Sequence, residues 1–215
     1  MILLHATAIS SYSAKLRIVL RHKGLSWQER EPPGGYGSDA YRALVPQGTV
    51  PALEVEGLRL GDSEAAAEFL EERFPDPAML PADIVGRARA RELSRFHDTA
   101  FEPAVRALFP LVGGRAADRE ARARCAARLA ARLEGLARLI AERRPPTPQH
   151  LLLCDCGYPV SFLLLRLLQP ALDLDLRWPD AVVDWMTALE TVPAVAVELA
   201  RYETVLEGWL ARGQD

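Results

Sequence analysis

The chain has 215 residues, 49% hydrophobic and 26% charged, with 26 Lys and Arg against 29 Asp and Glu for a net charge of −3. That length supports one large domain or two small ones around a real core, and the composition is ordinary for a globular protein. The balance gives no electrostatic footprint for nucleic acid, and no apolar run approaches the ~20 residues of a membrane span.

The opening residues lack the charged-then-apolar order of a signal peptide, so a cytoplasmic location is expected. Three cysteines, Cys125, Cys154 and Cys156, are too few and too odd for a disulfide framework. Four histidines and no Cys-x-x-Cys argue against a structural zinc site, and no metal is expected.

Residues Ile2 to Leu4 read as a short buried strand, while Leu16, Val19 and Leu20 recur at helical spacing and Gly24 stops that helix. Between them, Ser10-Ser11-Tyr12-Ser13-Ala14-Lys15-Leu16-Arg17 sets its serines at a strand-to-helix corner. The first N–H groups of a helix lack partners and carry the positive end of its dipole, and a hydroxyl adds a movable donor. Such a corner welcomes an anion, and a thiol held there ionises more readily. A simple N-cap role explains Ser10 or Ser11 as well.

Ser26 to Arg30 makes a second short strand with Trp27 as its core residue, and Glu31 to Gly37, rich in Pro and Gly, must be a loop. Asp39 to Leu44 supports one or two helical turns. Pro46 to Pro51 then turns the chain into a strand over Ala52 to Val55, and Glu56-Gly57 is a hairpin turn into Leu58 to Leu60. Pro51 has no N–H to give a ladder, which leaves the backbone of Val50 available to a ligand. Asp62-Ser63-Glu64 opens a helix that buries Ala66, Phe69, Leu70 and Phe74, and its N-terminus could seat a carboxylate or be merely capped.

Prolines 75, 77 and 81 put a boundary near residues 75 to 83, after which Ala, Leu, Arg and Glu dominate. A long helix is predicted from Ile84 to about Leu111 on the stripe Leu93, Phe96, Ala100, Phe101, Ala104 and Leu108, with Pro103 a kink point and Gly113-Gly114 its end. A second runs from about Ala116 to Arg143, burying Leu129, Leu133, Leu136, Leu139 and Ile140. Tyr158 to Leu168, apolar almost all round, reads as a central helix, followed by short helices over Asp180 to Leu189 and Val192 to Leu199 and a tail containing Trp209.

The order strand, Ser-rich helix, strand, loop, Val-Pro, two strands, Asp-Ser helix resembles the amino-terminal thioredoxin-like domain of cytosolic glutathione transferases. Ser10-Ser11-Tyr12-Ser13 with Leu16-Arg17-Ile18 looks closest to the zeta class, whose motif is Ser-Ser-Cys-x-x-x-Val-Arg; Tyr12 replaces the cysteine and Leu16 the valine. The resemblance implies an α/β thioredoxin-like domain over residues 1–76, followed by an all-α helical bundle over residues 84–215 that contributes the electrophile pocket. It implies a cis Val50-Pro51 bond whose backbone pairs with the cysteinyl part of glutathione, Ser63 on the γ-glutamyl carboxylate and Asp62 near its ammonium. It also makes Ser10 the catalytic hydroxyl, assisted by Ser11, with Tyr12 at the entrance. The helical half departs from the family where Tyr158-Pro159-Val160-Ser161 replaces Ser/Thr-x-x-Asp, so the reciprocal capping bonds are missing. Thr49 stands where many relatives have Lys or Gln.

Phe96, His97, Phe101 and Arg106 span the helix that borders the electrophile pocket in such folds, and Tyr12, Phe101 and Arg106 are the candidates for that pocket. The expected activity is addition of a serine-stabilised glutathione thiolate to a small electrophile, by a homodimer. The alternatives are a zeta-like cis-trans isomerase of the maleylacetoacetate or maleylpyruvate type, for which Arg106 could bind a carboxylate, and a non-catalytic glutathione-binding or partner-binding member. Cys154-x-Cys156 could be a redox pair, but its place in the helical half favours two packed thiols.

Overall fold

The computed structural model describes residues 1–112 and 119–212. The apolar run Ile2–His5 forms β1, buried along its whole length. Strand β2 (Trp27–Arg30) lies parallel to it on one side, β3 (Ala52–Val55) antiparallel on the other, and β4 (Leu58–Leu60) pairs with β3, so the sheet order is β2-β1-β3-β4. In register, His5 stands opposite Ala52. The end of β1 that leads to Ser10 therefore lies beside the start of β3, where Val50-Pro51 enters in a cis peptide bond.

Helix α1 (Ser11–His22) ends as Gly24 turns at φ 63°, a conformation open to glycine at little cost. One turn, α2 (Asp39–Arg42), precedes β3, and α3 (Ser63–Arg73) follows β4. Trp27 is only half-buried on its edge strand, where the Arg21 guanidinium covers its ring at 5.5 Å.

The helical half comprises α4 (Ile84–Phe96), α5 (Glu102–Arg106), α6 (Arg119–Ile140), α7 (Tyr158–Ala171), α8 (Asp180–Glu190) and α9 (Pro193–Arg212). The single helix predicted from Ile84 to Leu111 is instead broken: a π turn over His97–Phe101 precedes α5, and a 3-10 turn over Phe109–Leu111 follows it. Pro103 cannot donate to the ladder, and the backbone widens one turn ahead of it. The expected Gly113-Gly114 stop and Ala116 start lie outside the described residues.

The last helix is a second correction. Rather than a short helix to Leu199 and a tail, α9 runs for 20 residues. Its buried stripe is Val195, Glu198, Tyr202 and Leu206, each no more than 1% exposed. Two polar members hide that stripe from an apolar-periodicity reading. Helix α1 packs against α3, α7 and α9, which is why Lys15 and Arg17 are buried rather than solvated.

At the start of α7 the N-cap is Gly157 with no side-chain cap, as the missing box predicts. The freed positions bond sideways: Tyr158 donates to the Leu93 carbonyl at 2.9 Å, and Ser161 Oγ lies 2.9 Å from His97 Nε2. A Cβ on Gly157 would sit 2.6 Å from His97 Nδ1. Gly157→Ala is therefore expected to destabilise the fold by about 1–3 kcal/mol through overpacking, read from the urea midpoint.

Candidate functional site

The corner between β1 and α1 is built by capping. Ser10 is extended (φ −74°, ψ 117°) and its Oγ accepts the Ser13 N–H at 3.1 Å. A hydroxyl has one donor and two acceptor positions, so this bond leaves the Ser10 O–H free to donate. Ser11 differs: its Oγ donates to Glu102 Oε1 at 2.9 Å in a buried contact. Of the two expected hydroxyls, only Ser10 keeps its proton available to an anion.

Tyr12 is also committed. Its hydroxyl lies 3.1 Å from both the Asp98 carbonyl and Glu102 Oε2, and burial with the Glu102 and Asp98 charges pushes the phenol far up. Its proton is engaged by these two acceptors, whereas that of Ser10 is not. Arg106 closes the cluster, bonding Glu102 at 2.5 Å with its guanidinium 5.6 Å from the centre of the Tyr12 ring. Tyr36, 63% exposed on the Gly-rich loop, lies close enough to influence the Arg106 charge.

Phe101 corrects the expected pocket. It is 0% exposed, with its ring 5.8 Å from Tyr158 and 5.5 Å from Phe162. It turns inward as an aromatic core residue and lines no open space.

Around the second helix end, Asp62 Oδ1 accepts the Glu64 and Ala65 N–H groups at 3.0 and 2.9 Å. Asp62 is exposed, and neither its Oδ2 nor the Ser63 hydroxyl has a hydrogen-bond partner among the described residues. The N–H and C=O of Val50 likewise have none among the described residues. Three separate segments thus bring unused donors and acceptors to one end of the sheet.

A buried charge network, invisible to local pattern, ties these segments to the helical half. Lys15, 1% exposed, bonds Glu64 at 2.5 Å and Asp98 at 3.0 Å, and Asp98 also meets His97 Nδ1 at 2.7 Å. Burial opposes the charge on Lys15, but Asp98 and Glu64 outweigh it and hold the ammonium above its ordinary range. Burial likewise opposes ionised Asp98, yet His97 and Lys15 keep that carboxyl low.

Ser161, His97 and Asp98 have the bonding order of a nucleophilic triad, but Ser161 is 0% exposed and no substrate reaches it. Cys154 and Cys156 are buried free thiols that burial pushes up, which makes them poor nucleophiles. Among the described residues no cluster of three or more metal-ligating side chains occurs, and no helix is long and apolar enough to cross a membrane.

Two clefts lie elsewhere. One cleft of about 430 Å³ is lined by Arg21, Pro77, Pro148 and Pro193, and another of about 400 Å³ by Arg89, Leu93, Arg138 and His150. The serine corner is singled out by its unused donors, not by depth.

Residues 4–78 match the family described as glutathione S-transferase, N-terminal domain. A maleylacetoacetate isomerase of Pseudomonas aeruginosa is 47% identical over 88 residues, 38% of this chain and 42% of that protein. A maleylpyruvate isomerase of a Ralstonia species is 43% identical over 88 residues, 40% of this chain and 42% of that protein. The chain thus matches less than half the length of these curated relatives. Among solved structures, the holo form of a maleyl pyruvate isomerase, a bacterial zeta-class glutathione S-transferase, superposes with a TM-score of 0.74 at 27% identity, covering 91% of this chain and 95% of that one.

Proposed function

Residues 4–78 are a glutathione S-transferase N-terminal domain, with relatives in the zeta class, and from that premise we propose that the chain binds glutathione and adds its thiolate to a small electrophile. The observation that carries this reading is the free O–H of Ser10 at the N-terminus of α1. In it, the γ-glutamyl carboxylate takes the Ser63 N–H and hydroxyl, the ammonium faces Asp62, and the cysteinyl backbone pairs with Val50 beside Pro51. The sulfur then falls at Ser10, where one charge-assisted hydrogen bond and the helix field favour the ionised form.

Serine supplies a hydrogen bond here, not a base, and binding both reactants removes a bimolecular entropy penalty. Residues 1–76 form the glutathione-binding domain in this reading, and residues 84–215 contribute the electrophile side. With Phe101 withdrawn into the core, the electrophile meets Tyr12, Tyr36 and Arg106. No metal takes part, and the assembly is a cytoplasmic homodimer.

A second reading, glutathione-dependent cis-trans isomerisation of a maleyl dicarboxylate, is favoured by the two isomerase relatives and by exposed Arg106. Glu102 already neutralises that arginine, so addition is the leading reading.

Retention on immobilised glutathione together with turnover of a chloronitroarene supports the transferase, and retention with turnover only of maleylpyruvate supports the isomerase. Retention without either turnover indicates a binding protein, and no retention overturns the glutathione reading. Ser63→Ala removes a hydrogen bond to a charged group, so the KM for glutathione should rise roughly tenfold or more while kcat changes little. Steady-state kinetics with glutathione as the varied substrate checks this.

A further inference from the structure

Ser10 is held in place by residues far from it in sequence. The turn between β1 and α1 presents two carbonyls to buried donors: Arg17 Nη2 donates to Thr7 O at 3.2 Å, and the Tyr202 hydroxyl of α9 donates to Ile9 O. Both donors are 0% exposed. Arg17 is itself fixed by Glu29 at 2.9 and 2.5 Å and by Glu198 of α9 at 3.2 Å.

The Ile9–Ser10 peptide is a rigid plane, so holding the Ile9 carbonyl holds the Ser10 nitrogen and limits where its Cα–Cβ bond points. Ser10 then needs only its bond from Ser13 to aim its proton outward. We propose that Tyr202 is a positioning residue: through the Ile9 carbonyl, the last helix sets the direction of the Ser10 hydroxyl toward the glutathione sulfur. This rests on the reading of Ser10 as the thiolate donor.

The charges around Tyr202 are Glu102 and Arg106 from α5, Arg17 from α1 and Glu198 from its own helix. Burial and Glu102 push its phenol up, so it remains a donor wherever the protein is folded near neutrality.

Tyr202→Phe removes the hydroxyl and keeps the ring. With glutathione and a chloronitroarene as substrates, the KM for glutathione should stay within about twofold, while the acid limb of the kcat/KM profile moves up by about one pH unit. Turnover below the limb then falls roughly tenfold and recovers above it. Tyr158→Phe is the control: it loses an equally buried bond, to Leu93 O, and its acid limb should coincide with wild type. Should Tyr202→Phe not fold, Glu198→Gln loosens Arg17 instead, and the same limb must move. A Tyr202→Phe limb superimposed on wild type, or a loss equal at every pH, overturns the positioning role alone. A wild type with no thiolate absorbance in the presence of glutathione overturns the functional reading and this inference with it.

Discussion

On the proposed function, Ser10→Ala should lower kcat/KM for glutathione conjugation by about a hundredfold, the expected consequence of deleting one hydrogen bond to a developing or resident anion. The same change removes the cap on Ser13 N–H and weakens α1 by about 1 kcal/mol, so lost activity and lost stability must be separated. Ser10→Gly does so: glycine is tolerated at an N-cap with a penalty of only a few tenths of a kcal/mol, yet has no hydroxyl. Activity should fall equally in the two variants, while the denaturant midpoint falls mainly in Ser10→Ala. Ser11→Ala loses a contact to Glu102 rather than a free donor, so it should lower stability more than it lowers kcat. An activity loss confined to Ser11→Ala would move the thiolate to the neighbouring hydroxyl.

Lys15→Met is the change with the largest expected effect on stability. It leaves the Glu64 and Asp98 carboxylates, whose side chains are 12% and 10% exposed, without their shared cation. Breaking a buried ion pair by removing one partner destabilises by roughly 3–5 kcal/mol, because the remaining charges stay desolvated. The pH dependence follows from the directions of the shifts. Asp98, held low, contributes stability above its unfolded pKa of about 3.9 and loses it as pH falls through its folded value. Lys15, held high, contributes below its unfolded pKa of about 10.4 and loses that only as pH rises through its folded value. The gap between wild type and Lys15→Met should therefore be widest near neutrality and shrink below about pH 4, where protonation relieves the Asp98 carboxylate left behind. Urea unfolding at several pH values measures it. Because Glu64 follows Ser63, the variant should also hold glutathione less tightly.

The parts of this molecule that were legible in its sequence are those specified by neighbours in the chain. The Ser10 corner, the Val50-Pro51 entry to β3, the Asp62-Ser63 helix start and the apolar α7 each rest on local capping, turn chemistry or periodicity, and each lies where the pattern puts it. Phe101 could not be assigned that way: its helical spacing is the same whether it lines a pocket or fills a core, and only the opposing Tyr158 and Phe162 decide it. Glu102 and Asp98 have near partners in Arg106 and His97, but their bonds to Ser11, Tyr12 and Lys15 gave no local signal because those residues lie more than 80 positions away. For α9 a signal was present but mixed. The spacing of Val195, Glu198, Tyr202 and Leu206 is helical throughout, but two of the four are polar, and an apolar count stops at Leu199.

The corner and the network also explain each other. On the proposed function the N-terminus of α1 must stay open to a ligand and cannot be filled by its own side chains, so its position has to be fixed from behind. Lys15 and Arg17 do this from one turn further along α1, reaching α3, the π turn, β2 and α9.

The most direct measurement is a crystal structure with bound glutathione. The account predicts the sulfur within hydrogen-bonding reach of Ser10 Oγ, the γ-glutamyl carboxylate on Ser63, and the cysteinyl backbone beside Val50. Glutathione absent from that corner, seated elsewhere, or turned so that its sulfur faces away from Ser10 would contradict it.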